Sequence, residues 1–300
     1  MPAVLKSLKP SVFAQGLRRT GALNQNLPFL DGHYFGLKTE GENGHESHRK
    51  GFTPAFSLWP ENLNKGYPMS QPLTYDRFRQ QVMISMEDIC RDIFYKNRKT
   101  IKIKKEAVGI RNLATIFEAT LKLSNEKGFQ AMSLRDLCRE TGLSMGALYS
   151  YFSSKEELLE IIKEQGRSIA FKVLTEYVKK TDAVPDKLDN AIRVHLYLSE
   201  VMQDWFFFSY METRHFRKEE HKRAIASELY TEQLFCDILD QGGKEGVFQL
   251  ESSTLTASVI KAMVQDWYQK RWKYSRRNIS VDAYADFILS LVKRFIQPES

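Results

Sequence analysis

The pattern of hydrophobic positions divides the chain into an irregular first part and a helical remainder. Residues 1–72 are rich in Gly and Pro and have neither a two-residue nor a 3.6-residue hydrophobic period, which predicts irregular structure. From about 74 to 97, apolar residues recur every three or four positions and predict one amphipathic helix. From about 106 onward, helical patterns follow one another without strand-like alternation. The expected fold class is all-α.

The helical remainder is expected to begin with a long helix that ends near Gly128. Its apolar face is formed by Ile110, Leu113, Ile116, Phe117, Thr120 and Leu123. Further helices are expected at about 155–180, 185–205, 207–241 with a break, 252–274 and 281–297.

Residues 133–159 predict two short helices joined by a tight turn. Ser133 is a favourable N-cap with Asp136 three residues later, and Gly142 ends the first short helix. Ser144 caps the second short helix. Two short helices around a glycine turn form a helix-turn-helix, a motif whose second helix enters the major groove of DNA.

Two residues in and beside this motif are unfavourable for stability and therefore indicate a ligand. Gly146 inside a short helix costs about 1 kcal/mol relative to Ala, so it favours the close approach of a DNA backbone. Lys155 lies in the first turn of a helix that begins with a capping box of Ser154 and Glu157. Because the helix dipole opposes a cation there, Lys155 is expected to hold a phosphate. The alternative is that Gly146 only permits helix packing and that Lys155 is solvated.

The charge distribution favours a polyanionic partner near the amino terminus. The net charge is +7; residues 1–105 hold 17 Lys and Arg against 9 Asp and Glu, whereas residues 181–300 hold 16 against 18. The run 98–105 contains one arginine and four lysines directly before the first long helix. It is expected to track phosphates or to enter a minor groove, with a solvated linker as the alternative.

The sequence indicates neither an enzyme nor a metal site. The three cysteines, Cys90, Cys138 and Cys236, are widely spaced and form no CxxC pair. His45 and His48 do not complete an HExxH motif, and the sequence lacks Walker, GxSxG and glycine-rich dinucleotide motifs. We therefore expect no catalytic residue, no metal and no cofactor.

The amino-terminal residues predict no export signal. Lys6, Lys9 and Pro10 interrupt the first apolar run, and no stretch reaches the ~20 apolar residues of a membrane span. The expectation is a soluble, cytoplasmic protein with reduced cysteines and no membrane partner.

Residues Arg111–Leu159 resemble the DNA-binding domain of the TetR family of bacterial transcriptional regulators. The resemblance is carried by Lys127-Gly128-Phe129, Ser133 to Leu137, Gly142 to Tyr149 and Tyr151 to Glu156. It implies three parts: a mostly irregular N-terminal extension (1–105), a helix-turn-helix domain (106–160) and a helical ligand-binding and dimerisation domain (161–300).

The resemblance implies that the third helix of the family domain enters the major groove. The residues that it places on or near DNA are Ser144, Met145, Gly146, Ala147, Tyr149, Ser150 and Tyr151. Ser133 and Lys155 are expected to hold phosphates, and Arg135 to reach a base. Because this helix has no Arg, Asn or Gln, specificity is expected from Arg135, tyrosine hydroxyls, thymine-methyl contacts and groove shape.

For the C-terminal part the resemblance implies a homodimer and a small apolar effector. An aromatic set suits a cavity: Trp205, Phe206, Phe207, Phe208, Tyr210, Tyr230, Phe235 and Trp267. Its candidate ligand contacts are Trp205, Phe208, Tyr210, Tyr230 and Trp267. The expected dimer face consists of Leu255, Val259, Met263, Trp267, Tyr284, Phe287, Ile288, Leu291 and Phe295. For both sets, packing in the core is the alternative.

The sequence as a whole predicts a repressor that a small apolar ligand releases from a palindromic DNA operator. Residues 266–274 look similar to a helix of family members that sense acyl-CoA or a fatty acid, which makes these compounds the expected effectors. The alternative is a helical protein-interaction module in which residues 133–159 form only a packed hairpin. A salt-dependent mobility shift separates the two, because a DNA binder loses affinity as counterions compete.

Overall fold

A computed structural model describes residues 72–82, 85–212 and 218–297, without the side chains of residues 218–228. The described helices are α1 (Tyr75–Gln81), α2 (Met86–Lys96), α3 (Glu106–Lys127), α4 (Leu134–Thr141), α5 (Met145–Leu148), α6 (Lys155–Val178), α7 (Val184–Val201), α8 (Gln203–Met211), α9 (Lys218–Lys244), α10 (Ser253–Gln269), α11 (Arg271–Arg276) and α12 (Val281–Ile296). No strand occurs in these ranges, which confirms the all-α fold class. The predictions for residues 1–71, including His45 and His48, lie outside the described residues.

The single helix predicted over 74–97 is wrong, because the structure divides it into α1 and α2. Val82 leaves the helical region at φ −101° and ψ 63°, so α1 ends there. Ser85 starts α2 by accepting a 3.0 Å hydrogen bond from the Asp88 amide. Serine competes for backbone groups and therefore favours such caps over helix interiors.

Two later helices are also shorter than predicted. The helix expected over 185–205 ends at Val201, because Met202 adopts φ −110° and ψ 37° before α8 begins. The helix expected over 252–274 is interrupted at Lys270, which separates α10 from α11. The predictions for 155–180 and 281–297 are confirmed by α6 and α12 within a few residues.

Helix α7 forms the centre of the C-terminal part. Every residue from 191 to 199 is buried, and the helix packs against α6, α9, α10 and α12. A helix that is covered on all sides needs partners for its polar groups. Arg193 forms an ion pair with Asp286 of α12 at 2.5 Å, and the Tyr197 hydroxyl donates a 2.5 Å hydrogen bond to Asp282.

Helices α1 and α2 pack on the body of the protein. Phe78 of α1 is fully buried, with its ring 5.6 Å from that of Tyr177 and 5.7 Å from that of Tyr197. Phe94 of α2 is 1% exposed and covers Gly109 of α3 so closely that a Cβ there would lie 2.3 Å from the ring. Both helices are therefore integral to the core.

Among the described residues, no helix is long and apolar enough to cross a bilayer. The same residues bring together no group of three or more His, Cys, Asp or Glu side chains that could hold a metal ion.

Candidate nucleic-acid interface

The helix-turn-helix is formed by α4, the turn at Gly142 and α5. The capping box predicted for Ser133 is present: its Oγ accepts from the Asp136 amide at 3.1 Å, and its own amide donates to Asp136 at 2.9 Å. Gly142 adopts φ 70°, a left-handed conformation that glycine tolerates best, and ends α4. Ser144 Oγ accepts from the Ala147 amide at 3.2 Å and starts α5. These local predictions are confirmed.

Most of the predicted DNA contacts are accessible to solvent. Ser133, Arg135, Ser144, Gly146 and Tyr149 are exposed, and Tyr149 presents 44% of its surface. The residues Met145, Ala147 and Ser150 are partly exposed. Leu148 faces inward and anchors α5 to the core. The arrangement leaves the polar and small side chains of α5 open to an external partner.

Tyr151 does not belong to this surface, which corrects the prediction that it contacts DNA. The side chain is 1% exposed. It follows Leu148 by three residues, and the Tyr151 amide donates to the Leu148 carbonyl at 2.9 Å in the turn that closes α5. Residues three apart in a helical turn share a face, so Tyr151 enters the core with Leu148.

Gly146 has no packing role within the protein. A Cβ built on it meets no atom within 4 Å. The alternative that this glycine only permits helix packing therefore has no support in the described residues. The close approach of DNA at Gly146 stays a prediction.

Lys155 is held at the first turn of α6 by backbone carbonyls. Its ammonium donates to the carbonyl oxygens of Met132 at 2.7 Å and Gln130 at 3.0 Å and lies 4.7 Å from the centre of the Phe129 ring. Partial burial lowers its pKa. These contacts favour a cation at a position that the helix dipole alone disfavours.

The five candidate ligand contacts have different neighbours in the described residues, and their role in ligand binding stays a prediction. Trp205 is buried and donates to the Ile162 carbonyl at 2.9 Å, and Phe208 packs 6.0 Å from Phe129, close to the DNA-binding helices. Trp267 is fully buried beside the ring of Tyr284. These three side chains therefore pack against different residues of the core.

The other two candidates contact further residues. Tyr210 is 6.5 Å from Tyr268, whereas Tyr230 is 43% exposed and 4.6 Å from Phe171. A shallow cleft of about 440 Å³ lies at the turn between α9 and α10 and is lined by Asp240, Gly243, Lys244, Phe248, Gln249, Leu250 and Ser253. None of the five candidates belongs to that cleft.

Comparison with known proteins connects this architecture to one family. Residues 116–162 match the family model for bacterial regulatory proteins of the tetR family, and residues 181–292 match a model for a tetracyclin repressor-like C-terminal domain. An uncharacterised HTH-type transcriptional regulator of Bacillus subtilis, YfiR, is 30% identical over 159 residues, which cover 49% of this chain and 73% of YfiR.

The chain belongs to the TetR family of bacterial regulatory proteins. It is accordingly a ligand-responsive, DNA-binding transcriptional regulator. Solved structures agree on the fold. A tetR-family protein from Rhodococcus RHA1 superimposes with a TM-score of 0.58 at 21% identity, covering 63% of this chain and 99% of that one. The ketosteroid regulator KstR2 of Mycobacterium tuberculosis gives 0.57 at 18% identity, covering 67% and 99%.

Sequence reasoning missed one polar pair inside the C-terminal part of this TetR-family chain. His195 of α7 and Lys261 of α10 are 3% and 6% exposed, and their Nε2 and Nζ atoms are 3.4 Å apart. Burial, reinforced by the Lys261 charge, holds the pKa of His195 well below its usual range. The rings of Phe206 and Phe235, both in the predicted aromatic set, lie 6.0 and 6.4 Å from the imidazole.

The sequence contains little that could have predicted this pair. A histidine and a lysine 66 positions apart share no motif, and each lies within an otherwise apolar helical face. Only the packing of α7 against α10 brings them together.

Proposed function

We propose that this regulator is a homodimeric repressor that holds a palindromic operator and releases it when a small, mostly apolar effector with an acidic group enters the C-terminal domain. The observation that carries the DNA-binding part of the proposal is the open surface around α5. There, Gly146 leaves space for a close approach, and Ser133, Arg135, Ser144 and Tyr149 are exposed around it. A repressor of a bacterial gene acts in the cytoplasm, where the operator is.

The proposed division of roles follows from side-chain chemistry. Ser133 and Lys155 contact phosphates, which position the protein but carry no sequence information. Arg135, which is exposed at the start of α4, contacts a base with its planar guanidinium. Tyr149, Ser150, Met145 and Ala147 read groove shape and thymine methyl groups.

Exposed apolar residues on two late helices support a dimer. Leu255 and Val259 of α10 are 69% and 57% exposed, and on α12 Phe287 and Phe295 are 66% and 65% exposed. A surface of this kind marks an interaction site. A pair of subunits related by a twofold axis presents two recognition helices to half-sites ~34 to 36 Å apart. Leu291 is 46% exposed as well, and Met263 and Tyr284 are partly buried, whereas Trp267 and Ile288 are buried in the core.

The His195–Lys261 pair supports an acidic group on the effector. The 3.4 Å separation is a hydrogen-bond distance, so a neutral His195 accepts from the Lys261 ammonium, and this buried ammonium attracts an acidic group that comes beside it. The His195 Nδ1 atom is buried and has no hydrogen-bond partner among the described residues, so it offers a further polar contact. Phe206 and Phe235 provide the apolar surroundings for a hydrocarbon body. Among the expected effectors, a fatty acid fits this chemistry directly.

The operator can be identified directly from genomic DNA. Fragments of the source genome that the purified protein retains are sequenced, and binding to the enriched sequence is measured by mobility shift at several salt concentrations. The proposal predicts a palindromic sequence bound by two subunits with an affinity that falls steeply with salt. A protein that retains no fragment in dilute salt would instead be the helical interaction module.

The effector is tested on the same operator complex with palmitate, palmitoyl-CoA, methyl palmitate and an aromatic carboxylate. We expect palmitate to release the DNA from the wild type, and methyl palmitate to be at least about tenfold weaker because it has no charge to place beside Lys261. Release by the ester at the same concentration would contradict the acidic group but not the repressor.

A further inference from the structure

The segment that precedes α3 is fixed to the protein. In this segment, residues 98–105, the Arg98 guanidinium donates to the carbonyl oxygens of Ile103 at 2.7 Å and Lys104 at 3.3 Å, which folds the segment back on itself. The same guanidinium lies 4.9 Å from the centre of the Phe94 ring. Ile101 is 4% exposed and belongs to the core. This basic segment is therefore an ordered part of the fold.

The basic segment lies directly beside the recognition helix. The Lys102 amide donates a 2.9 Å hydrogen bond to the carbonyl oxygen of Ser150, the second residue after α5. Ser150 follows Tyr149, the exposed tyrosine of the candidate DNA surface. A backbone hydrogen bond of this kind fixes the position of the segment relative to α5 without constraining the lysine side chains.

The lysines of the basic segment point away from the protein. Ile101 and Ile103 pack inward while Lys102 and Lys104 are exposed, an alternation that places both lysines on one side, about 6.6 Å apart along an extended chain. Lys99 is exposed as well. In residues 72–82, 85–212 and 218–297, none of these three ammonium groups forms an ion pair. Three exposed lysines without an ion pair among the described side chains thus belong to the segment that is hydrogen-bonded to Ser150.

We infer that Lys99, Lys102 and Lys104 bind phosphates of the operator beside the groove that α5 enters. The inference rests on the proposed DNA-binding function and extends it, because it makes the duplex contact of each subunit longer than the helix-turn-helix. Lysine is a point charge on a flexible stem, so these contacts add affinity for any duplex and do not select a sequence. The backbone hydrogen bond between Lys102 and Ser150 keeps the segment that carries these lysines next to the end of α5 before DNA binds.

The test compares two triple variants with the same change of charge. One replaces the segment lysines (Lys99→Gln, Lys102→Gln, Lys104→Gln), and the matched control replaces three exposed cations of the C-terminal part (Lys179→Gln, Lys244→Gln, Arg277→Gln). Fluorescence anisotropy gives the affinity of each protein for the selected operator and for an unrelated duplex at five or more salt concentrations. Circular dichroism and thermal melts check that both variants fold.

Each phosphate contact contributes about 0.9 to the slope of log affinity against log salt. We expect the segment variant to lose roughly 2.7 from that slope for each subunit bound, and to lose affinity for both duplexes by the same factor. The control should lose less than the contribution of one contact.

Three results would overturn the inference. An unchanged slope in the segment variant, with the wild type binding DNA, would refute the lysine contacts alone. An equal loss in the control would show a general effect of net charge. A wild type that binds no duplex would refute the proposed function and the inference together.

Discussion

The ammonium of Lys155 donates a 2.7 Å hydrogen bond to the carbonyl oxygen of Met132 and so joins the first turn of α6 to the turn before α4. A second bond, to the Gln130 carbonyl, is 3.0 Å long. A lysine ammonium has three donors, so one remains for a phosphate. Lys155 therefore supports the helix-turn-helix and has a third donor left for the phosphate contact that we propose.

Replacing Lys155 by Ala is expected to weaken binding to all duplexes alike and to lower stability. The substitution removes two hydrogen bonds from a charged donor, each contributing about 1.5 to 3 kcal/mol at most. Affinity for a series of mutated operators and the free energy of unfolding by urea measure the two effects. Lys155→Arg serves as the control that keeps the charge. A changed ranking of the mutated operators would contradict a contact to phosphate.

Replacing Arg135 by Ala is expected to relax sequence preference. Arg135 is exposed and holds no ion pair among the described residues, so its removal leaves the fold unaffected. Loss of a good base contact reduces discrimination at one position by about 1 to 3 kcal/mol. Arg139→Ala, on the same helix but paired with Asp136, is the matched control. A uniform loss of affinity over the mutated operators would assign Arg135 to a phosphate instead.

Replacing Gly146 by Ala is expected to separate stability from DNA binding. The added Cβ meets open space, and Ala is the better helix former by about 1 kcal/mol, so the free protein should become equally or more stable. Operator affinity should fall, because the methyl group occupies the place that a DNA backbone approaches. Thermal melts and anisotropy on the same sample check both. Unchanged affinity would show that DNA does not approach closely enough to require a glycine.

Replacing Phe287 by Glu is expected to dissociate the proposed dimer. The side chain is 66% exposed in one subunit, and a carboxylate on an apolar interface loses its hydration without gaining a partner. Sedimentation velocity should then show monomers, and operator affinity should fall at least about tenfold. Val247→Glu, at a position 40% exposed on the turn after α9, is the control. If both variants sediment as the wild type does, the dimer uses another surface.

The protein is expected to lose stability between pH 6.5 and 5 because of His195. Its pKa in the folded state is lowered, first by burial and then by Lys261, so below pH 6.5 the unfolded chain binds a proton that the folded protein does not. The contribution of the neutral His195 to the free energy of unfolding is complete above pH 6.5. It falls with acidification by up to about 1.4 kcal/mol per pH unit. Urea unfolding of wild type and His195→Leu measures it. The variant should lack this dependence; an equal slope in both would contradict it.

The helix-turn-helix could be predicted from sequence because local chemistry determines it. The caps at Ser133 and Ser144 and the left-handed Gly142 depend on residues within three or four positions. The burial of Tyr151 was harder to predict, because its neighbours in the sequence are predicted DNA contacts. Only its offset of three residues from the buried Leu148 indicates that it points inward.

The proposed effector site could not be predicted from the sequence for a different physical reason. Aromatic residues at helical spacing report burial, but burial alone does not say which of them share a cavity. Trp205 packs toward α6 through the Ile162 carbonyl, while Trp267 joins Tyr274 and Tyr284. The polar pair of His195 and Lys261 depends on the crossing of α7 and α10, which no local pattern encodes.

The burial of Phe78 and Phe94 means that α1 and α2, in addition to α6, connect the C-terminal part of the protein to the DNA-binding part. Helix α1 is seated on α7, whose His195 faces the proposed effector, while α2 is seated on α3 of the DNA-binding part. Because α1 and α2 are consecutive in the chain, a rotation of α7 relative to α3 moves both of these helices. A signal that passes from the proposed effector site to the operator by such a rotation would therefore displace α1 and α2 together with α6.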